Sequence, residues 1–302
     1  MLIVGRRCFL FGIATLAAIC SSGLGRFRLA VTTDEISDDL LTAIQFLKRF
    51  GLRHAELRKF EGQYNTKHSI EKIRAARHLF NDHGIKTAIL DTPFFKIPLP
   101  PDTPEGHRIL DSQWALLDDA MDRAEILGTD KIRTFAFTYR RGERPDPAKW
   151  PRIVELVRES AGRAANRGFR IALENVGRSY VATAKEASRI LEAIPDANFG
   201  LTWDPNNSAR SDGEAFPEGY ARLDPARIFH IHFRDYLRLP SGKVKWCGIG
   251  EGEFDHLGQL RKLLEDDYRE TISLETHYTI QGSKMRASES SIKALLKVIE
   301  RV

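Results

Sequence analysis

Cysteine is scarce in this chain. Of three cysteines in 302 residues, Cys8 and Cys20 fall within the first 25 and leave only Cys247 beyond them. A single thiol forms no internal disulfide framework and builds no CxxC metal site, so stability has to come from a hydrophobic core. A long apolar run is missing too, since the stretch from Phe11 to Cys20 is short for a membrane span. No stripe of lysine and arginine interleaved with aromatics appears, and the formal charge of +5 is modest, so nucleic acid is not an expected partner. No low-complexity segment or Ser/Gly linker interrupts 26–302, and a composition of 42% hydrophobic and 29% charged residues is neither disordered nor fibrous.

The first 25 residues stand apart. Gly5-Arg6-Arg7-Cys8-Phe9-Leu10 precedes the apolar stretch, and the small residues Ser21, Ser22 and Gly23 follow it. A basic segment, a short apolar segment and a small-residue tail describe an export signal over 1–25. The arginine pair with Phe9 and Leu10 resembles a twin-arginine signal, with Gly5 where Ser or Thr is usual. The expectation is an exported, periplasmic protein whose N-terminus meets the export machinery, with net charge near +3 once Arg6 and Arg7 leave. A retained N-terminal anchor is the alternative, and Leu16 to Cys20 has a weak lipoprotein-box character spoiled by Ile19.

From 26 to 302 short apolar runs alternate with longer helical patterns, the signature of βα units and a parallel sheet. Strands are expected near 27–33, 53–58, 86–91, 131–137, 169–175, 198–204, 228–234 and 271–276. Helices are expected near 37–50, 69–83, 105–128, 147–167, 183–193, 208–223, 256–267 and 285–301. Eight units over this length predict one domain, an α/β (β/α)8 TIM barrel. Gly51, Gly84, Gly128 and Gly168 sit just past four of the helices, where a left-handed residue is wanted, and Asp146 is placed as an N-cap.

Four of the strands carry the chemistry. Successive side chains of a strand point to opposite faces. Ile171 and Leu173 therefore oppose Glu174; Phe199, Leu201 and Trp203 oppose Asp204; Phe229, Ile231 and Phe233 oppose His230 and His232; Ile272 and Leu274 oppose Glu275. Glu174, Asp204, His232 and Glu275 then share one interior at the C-terminal strand ends, where barrel enzymes keep their active sites. Buried carboxylates need a compensating cation, and an oxygen and nitrogen donor set suits Mn²⁺, Mg²⁺, Co²⁺ or Zn²⁺. The bland alternative pairs each carboxylate separately with Arg170, Arg234, Arg133 or Arg238.

Other positions are secondary. Glu56 shares parity with His54 and Arg58, giving either an internal pair with Arg58 or a substrate contact. Asp34 or Glu35 is placed to cap a helix starting near Ile36, and His277 is a substrate or supporting group. His78, His83 and His107 belong to the solvated surface. Phe94, Phe95 and Trp246 lie on loops at the expected mouth, where packing comes first and stacking on a sugar second. The irregular stretch 236–255 is long enough to fold over the site.

The motifs Leu173-Glu174-Asn175, Trp203-Asp204-Pro205-Asn206-Asn207, the HIHFRD run ending at Asp235, the GIGEGEFD run ending at Asp255 and Ser273-Leu274-Glu275-Thr276-His277 resemble, in this order, the sugar phosphate isomerase/epimerase family of xylose isomerase-like barrels. The resemblance spans nearly all of 27–300. It implies one divalent metal, Mn²⁺ first among those named, held by Glu174, Asp204, His232 and Glu275. It further implies that Glu174 and Glu275 flank the substrate carbon and move its proton, as in the family's epimerases. Those epimerases carry a histidine where this chain has Asn207, and an arginine matched by Arg238. Arg234 stands where the broader family's HxKD form has lysine. Substrate contacts are accordingly expected at Glu56, Asn207, Arg234, Arg238 and His277.

The expected function is a metal-dependent sugar isomerase, epimerase or related keto-sugar lyase, withdrawing a proton beside a polarised carbonyl. Its partner is a small-molecule sugar or keto-sugar, non-phosphorylated if exported, and homo-oligomerisation is left open. Two other readings share the barrel: an endonuclease IV-like phosphodiesterase, which needs more histidines than strand ends two and three offer, and a non-catalytic metal-containing periplasmic sugar binder.

Overall fold

A computed structural model describes residues 25–302 apart from 141 and 212. The signal-like segment thus lies, up to residue 24, outside the described residues. No helix among those described is long and apolar enough to cross a membrane.

Twelve strands occur along the described chain: β1 (Arg28–Thr32), β2 (His54–Leu57), β3 (Lys59–Phe60), β4 (Gln63–Tyr64), β5 (Lys86–Leu90), β6 (Lys131–Thr134), β7 (Arg170–Glu174), β8 (Phe199–Trp203), β9 (Ile228–Phe233), β10 (Asp235–Arg238), β11 (Val244–Cys247) and β12 (Thr271–Leu274). Eight of them close a barrel in the order β1-β12-β9-β8-β7-β6-β5-β2, while β3-β4 and β10-β11 form separate hairpins. Every barrel pair is parallel. The chain therefore forms the single-domain TIM barrel that its alternating pattern predicts.

The longer helices are α1 (Leu40–Arg49), α2 (Ile70–Asp82), α3 (Pro104–Leu127), α4 (Trp150–Ala165), α5 (Ala184–Ala193), α6 (Pro205–Arg210), α7 (His256–Glu265) and α8 (Lys284–Ile299). Their starts follow from capping chemistry, in which a side-chain oxygen accepts an otherwise orphaned N–H. Ser69 caps α2, Thr103 precedes Pro104 at α3, Thr183 and Glu186 form a capping box at α5, and Ser283 caps α8. Gly51, Gly84, Gly128 and Gly168 all have positive φ, as the helix exits require. Asp146 caps the short 3-10 turn Pro147–Lys149 that leads into α4.

Three local readings change. The first helix begins at Leu40, because Asp39, and neither Asp34 nor Glu35, accepts from the Thr42 N–H. The helix expected over 208–223 is instead α6, which starts directly at Asp204, with a separate 3-10 turn at Tyr220–Arg222. The stretch 236–255 is the β10-β11 hairpin followed by a tight glycine loop.

Alternation sends Leu29, Val31, Ile171, Leu173, Leu201, Trp203, Ile231, Phe233, Ile272 and Leu274 outward into one core shared with the helices, each such burial contributing about 1.5–3 kcal/mol. Phe229 is the exception. Opposite β9, Leu201 pairs with Ile228 but Thr202 with His230, so Phe229 is an extra residue in the ladder. It turns inward and packs with Ala30, Ala88, Ile89 and Ala172 in a small interior cluster. Gly200 makes this fit, since a Cβ there would stand 2.7 Å from the Phe229 ring.

Candidate metal centre

The C-terminal strand ends bring Glu174, Asp204, His232 and Glu275 together. One ligand atom from each lies within 4.8 Å of the others, and all four residues are buried. Nδ1 of His232 is the hub, 3.8 Å from Glu174 Oε1, 4.0 Å from Asp204 Oδ2 and 3.5 Å from Glu275 Oε2.

Each ligand is held from behind. His232 Nε2 lies 2.9 Å from Glu56 Oε1, and His230 Nε2 lies 3.0 Å from Glu56 Oε2. Glu56 therefore anchors two histidines and orients the His232 ring, the arrangement that fixes tautomer and direction in metal-binding histidines. It does not pair with Arg58. Asp204 divides its oxygens: Oδ1 accepts from the N–H groups of Asn206 and Asn207 at 2.9 and 2.8 Å, starting α6, while Oδ2 turns to the cluster. Asn175 joins the tips of β7 and β8, receiving the Asp204 N–H and donating to the Asp204 carbonyl, each at 2.8 Å. Asn207 donates to Glu174 Oε1 at 3.2 Å.

Arginines fill the space around the ligands. Arg234 bonds Asp204 and lies 3.1 Å from Glu275 Oε2. Arg133 bridges Asp91 at 2.7 Å and Glu174 at 3.0 Å. Arg58 binds Glu275, Asp34 at 2.9 Å and Glu35 at 2.6 Å. Separate one-to-one pairing fails as a description, because these guanidinia are shared. Arg170 is at the opposite end of the barrel, bound to Asp130 and Glu270. Arg238 is exposed, donates to the Ala209 carbonyl at 3.1 Å and does not line the cavity.

His277 has φ of 56°, a left-handed value that costs a non-glycine residue about 1–3 kcal/mol. The compensation is Glu35, which accepts the His277 N–H at 3.0 Å and meets its Nδ1 at 2.8 Å, leaving Nε2 3.4 Å from Glu275 Oε1. Trp246 reaches the mouth from β11, with the Arg234 guanidinium 4.5 Å from its ring. Asp235 holds that hairpin by accepting four N–H groups, from Tyr236, Gly250, Gly252 and Phe254. A Cβ at Gly252 would stand 2.3 Å from Asp235 Oδ1, so the GIGEGEFD loop needs glycine to wrap this carboxylate. Phe94 and Phe95 are fully buried, stacked on each other at 3.9 Å, and belong to the core.

The electrostatics follow from burial and these neighbours. Burial alone would raise the carboxyl of Glu275, but His277, Arg234, His232 and Arg58 hold it well below the usual carboxylate range. Burial likewise opposes ionisation of Glu56, yet His232 and His230 keep it well below normal. Burial holds Asp204 above its ordinary value despite Arg234, and lifts Asp91 well above it despite Arg133. His232 is pushed up to about 10, burial being outweighed by Glu56, Glu275 and Glu174.

These residues fit a divalent cation. Buried polar atoms are ordinarily hydrogen-bonded, yet His232 Nδ1 is buried among three carboxylates without a hydrogen bond, and Glu174 Oε2 and Glu275 Oε2 meet only one guanidinium each, at 3.0 and 3.1 Å. A cavity of about 270 Å³ opens above them, lined by Glu174, Glu275, Asn207, Arg234, His277 and a set of further cations. Sequence reasoning missed the parts played by Arg58, Asp91 and Asn65. Asn65 ties β2 to β5 by donating to the carbonyls of Leu57, Arg58 and Asp91.

Fold and site together define a TIM barrel with a carboxylate and histidine cluster at its mouth. The sequence profile described as xylose isomerase-like TIM barrel matches residues 44–301, and the chain belongs to that family. A mannonate dehydratase from Saccharophagus degradans is 31% identical over 101 residues, 33% of this chain and 25% of that protein. The match thus spans about a quarter of the curated relative's length. Among solved structures, the IolI protein with a bound zinc atom superposes with a TM-score of 0.73 at 20% identity, covering 91% of this chain and 99% of that one. A D-tagatose 3-epimerase-like protein gives 0.69 at 18% identity, covering 91% and 99%. At these identities the structural likeness establishes the fold.

Proposed function

We propose that this chain is a divalent-metal-dependent sugar isomerase or epimerase, or a related keto-sugar lyase. The carrying observation is the convergence of Glu174, Asp204, His232 and Glu275 on one point, with His232 Nδ1 buried and unbonded there. Those four would hold the ion, for which Mn²⁺ is proposed and Mg²⁺, Co²⁺ or Zn²⁺ fit the same donors. When bound, such an ion polarises a substrate carbonyl and acidifies the neighbouring carbon.

The chain's own residues then move the proton. Glu174 on β7 and Glu275 after β12 are separated around the wall by β8 and β9, so they approach one substrate from different directions. One carboxylate takes the proton from carbon and the other delivers a proton to the opposite face, which inverts that centre. Delivery to the neighbouring carbon isomerises the sugar instead, and departure of a β-hydroxyl as water dehydrates it. Arg58, Arg234 and His277 keep Glu275 ionised for the first of these roles. The dehydratase and epimerase names among the similar proteins support this range of outcomes.

The test is deuterium uptake from heavy water into a panel of sugars and keto-sugars by Mn²⁺-loaded protein. Glu174→Gln and Glu275→Gln should each slow exchange by about 10²–10⁴-fold with the circular dichroism spectrum retained. Undiminished exchange in both variants rejects the assignment. We place this activity outside the cytoplasm on the strength of the paired Arg6 and Arg7. Cell fractionation of the full chain against an Arg6→Lys, Arg7→Lys double variant tests this, and equal cytoplasmic retention of both rejects export.

A further inference from the structure

Six cationic side chains line the cavity against two acidic ones, Glu174 and Glu275. Arg58, Arg133 and Arg234 are matched by the carboxylates described above. Lys59, Lys96 and Arg210 are not. Among the described residues none of these three has a carboxylate within salt-bridge reach, and their charged groups rest on Tyr64, Phe135 and Trp246 at 4.8, 4.4 and 5.4 Å from the ring centres. Aromatic faces soften an isolated cation by about 0.5–2 kcal/mol but do not neutralise it.

Two of the three unmatched cations sit on one side. Lys59 follows β2, Lys96 follows β5, and β5 lies between β2 and β6, which carries Arg133. Lys96 and Arg133 share the Phe135 ring, at 4.4 and 5.1 Å. Arg133 is 1% exposed, yet its Nε and Nη2 make no hydrogen bond. The Tyr64 hydroxyl, on the same lining, also lacks a protein partner among the described residues. Donors with no acceptor, gathered in a cleft of uncompensated positive charge, focus potential on an anion.

We infer that the β2-β5-β6 side of the cavity is an anion subsite, and that the substrate is an acidic sugar. Its carboxylate or phosphate is held by Lys59, Lys96, Arg133 and Tyr64, while its carbonyl end lies toward Glu174, Asp204, His232 and Glu275. This rests on the metal-dependent sugar reading above. A neutral ketose could accept hydrogen bonds from Lys59 and Lys96 but would leave their charges uncompensated. Two ends of one molecule would thus be fixed, which sets the carbon presented to the glutamates.

Calorimetric titration of Mn²⁺-loaded full-length protein with 5-keto-D-gluconate, D-fructose 6-phosphate and D-fructose tests the subsite. At least one acid should bind ten-fold or more tighter than D-fructose, and which acid does so identifies carboxylate or phosphate as the anion. Raising salt should erode the preference. In a Lys59→Met, Lys96→Met double variant with retained metal content and thermal transition, the preference should vanish, and Lys59→Arg, Lys96→Arg should restore it. Equal affinity for all three ligands, or an acid preference that survives the double methionine variant, overturns the inference. Deuterium uptake separates the two readings. Exchange into D-fructose without acid preference removes the subsite and keeps the enzyme, while tight acid binding without exchange into any panel member keeps the subsite and removes the enzyme.

Discussion

The two ends of this barrel solve the same electrostatic problem in opposite ways. At the N-terminal end Glu270 meets Lys131 at 2.6 Å and Arg170 at 2.7 Å, Arg170 also binds Asp130 at 2.7 Å, and the Arg170 guanidinium covers Phe229 at 4.8 Å. Each of these four charges has a partner, and most retain access to water. At the C-terminal end eight carboxylates, those of Asp34, Glu35, Glu56, Asp91, Glu174, Asp204, Asp235 and Glu275, are buried, and several polar atoms stay without a hydrogen bond. Burying unmet groups is costly, so the chain tolerates at one rim what it avoids at the other. The satisfied end keeps the barrel closed, and the unsatisfied end is where an added ion or ligand gains most.

That contrast can be broken first at Glu56. Glu56→Gln removes the carboxylate behind His232 while keeping the volume, and metal affinity should fall about 10–100-fold, read by competition with a chelating dye. Affinity within two-fold of the unaltered protein would show that the lower layer does not orient the ligand.

Acidity sharpens the contrast next. In the metal-free protein His232, pushed up to about 10 from an ordinary 6.5, carries a proton at neutral pH. A ligand must be neutral, so Mn²⁺ uptake at pH 7 should expel about one proton and its affinity should climb with pH. Titration in two buffers of different ionisation heat counts that proton, and zero release contradicts the His232 assignment. Because the folded value exceeds the unfolded one, the stabilisation from His232 is fully present below pH 6.5 and is lost as pH rises through about 10. The melting temperature of metal-free protein should fall across that window, and less steeply in His232→Gln.

The smallest effect belongs to the other rim. Glu270→Gln discards two partly buried ion pairs and should cost about 1–2 kcal/mol in urea unfolding while leaving Mn²⁺ affinity unchanged. A coupled loss of metal affinity would mean that the ends are not independent.

Much of this was legible in the chain. Alternation alone located the eight barrel strands and put Glu174, Asp204, His232 and Glu275 on a common side, because strand parity is a local property. Phe229 escaped that logic. Its inward turn answers a volume left by Ala30, Ala88, Ala172 and Gly200, all four of them on other strands, and only the assembled interior reveals the need. The partners of Arg58 were hidden for a similar reason, since Asp34 and Glu35 lie in the turn after the neighbouring β1 and Glu275 follows β12, which reaches β1 only on closure. Glu56 shared parity with Arg58, yet its partners lie across the barrel on β9. The alanines and glycine at inward positions were the one signal that could have exposed the Phe229 bulge.

Asp204 couples the candidate metal cluster to architecture within a single side chain. One oxygen launches a helix and the other looks into the cluster. Lineages that dispense with the ion would still be under pressure to keep an aspartate, asparagine or serine at this position, so its persistence alone would be a poor marker of retained chemistry. Glu174 and Glu275 start no helix, and their loss would be the more trustworthy sign that a descendant lacked the proposed reaction.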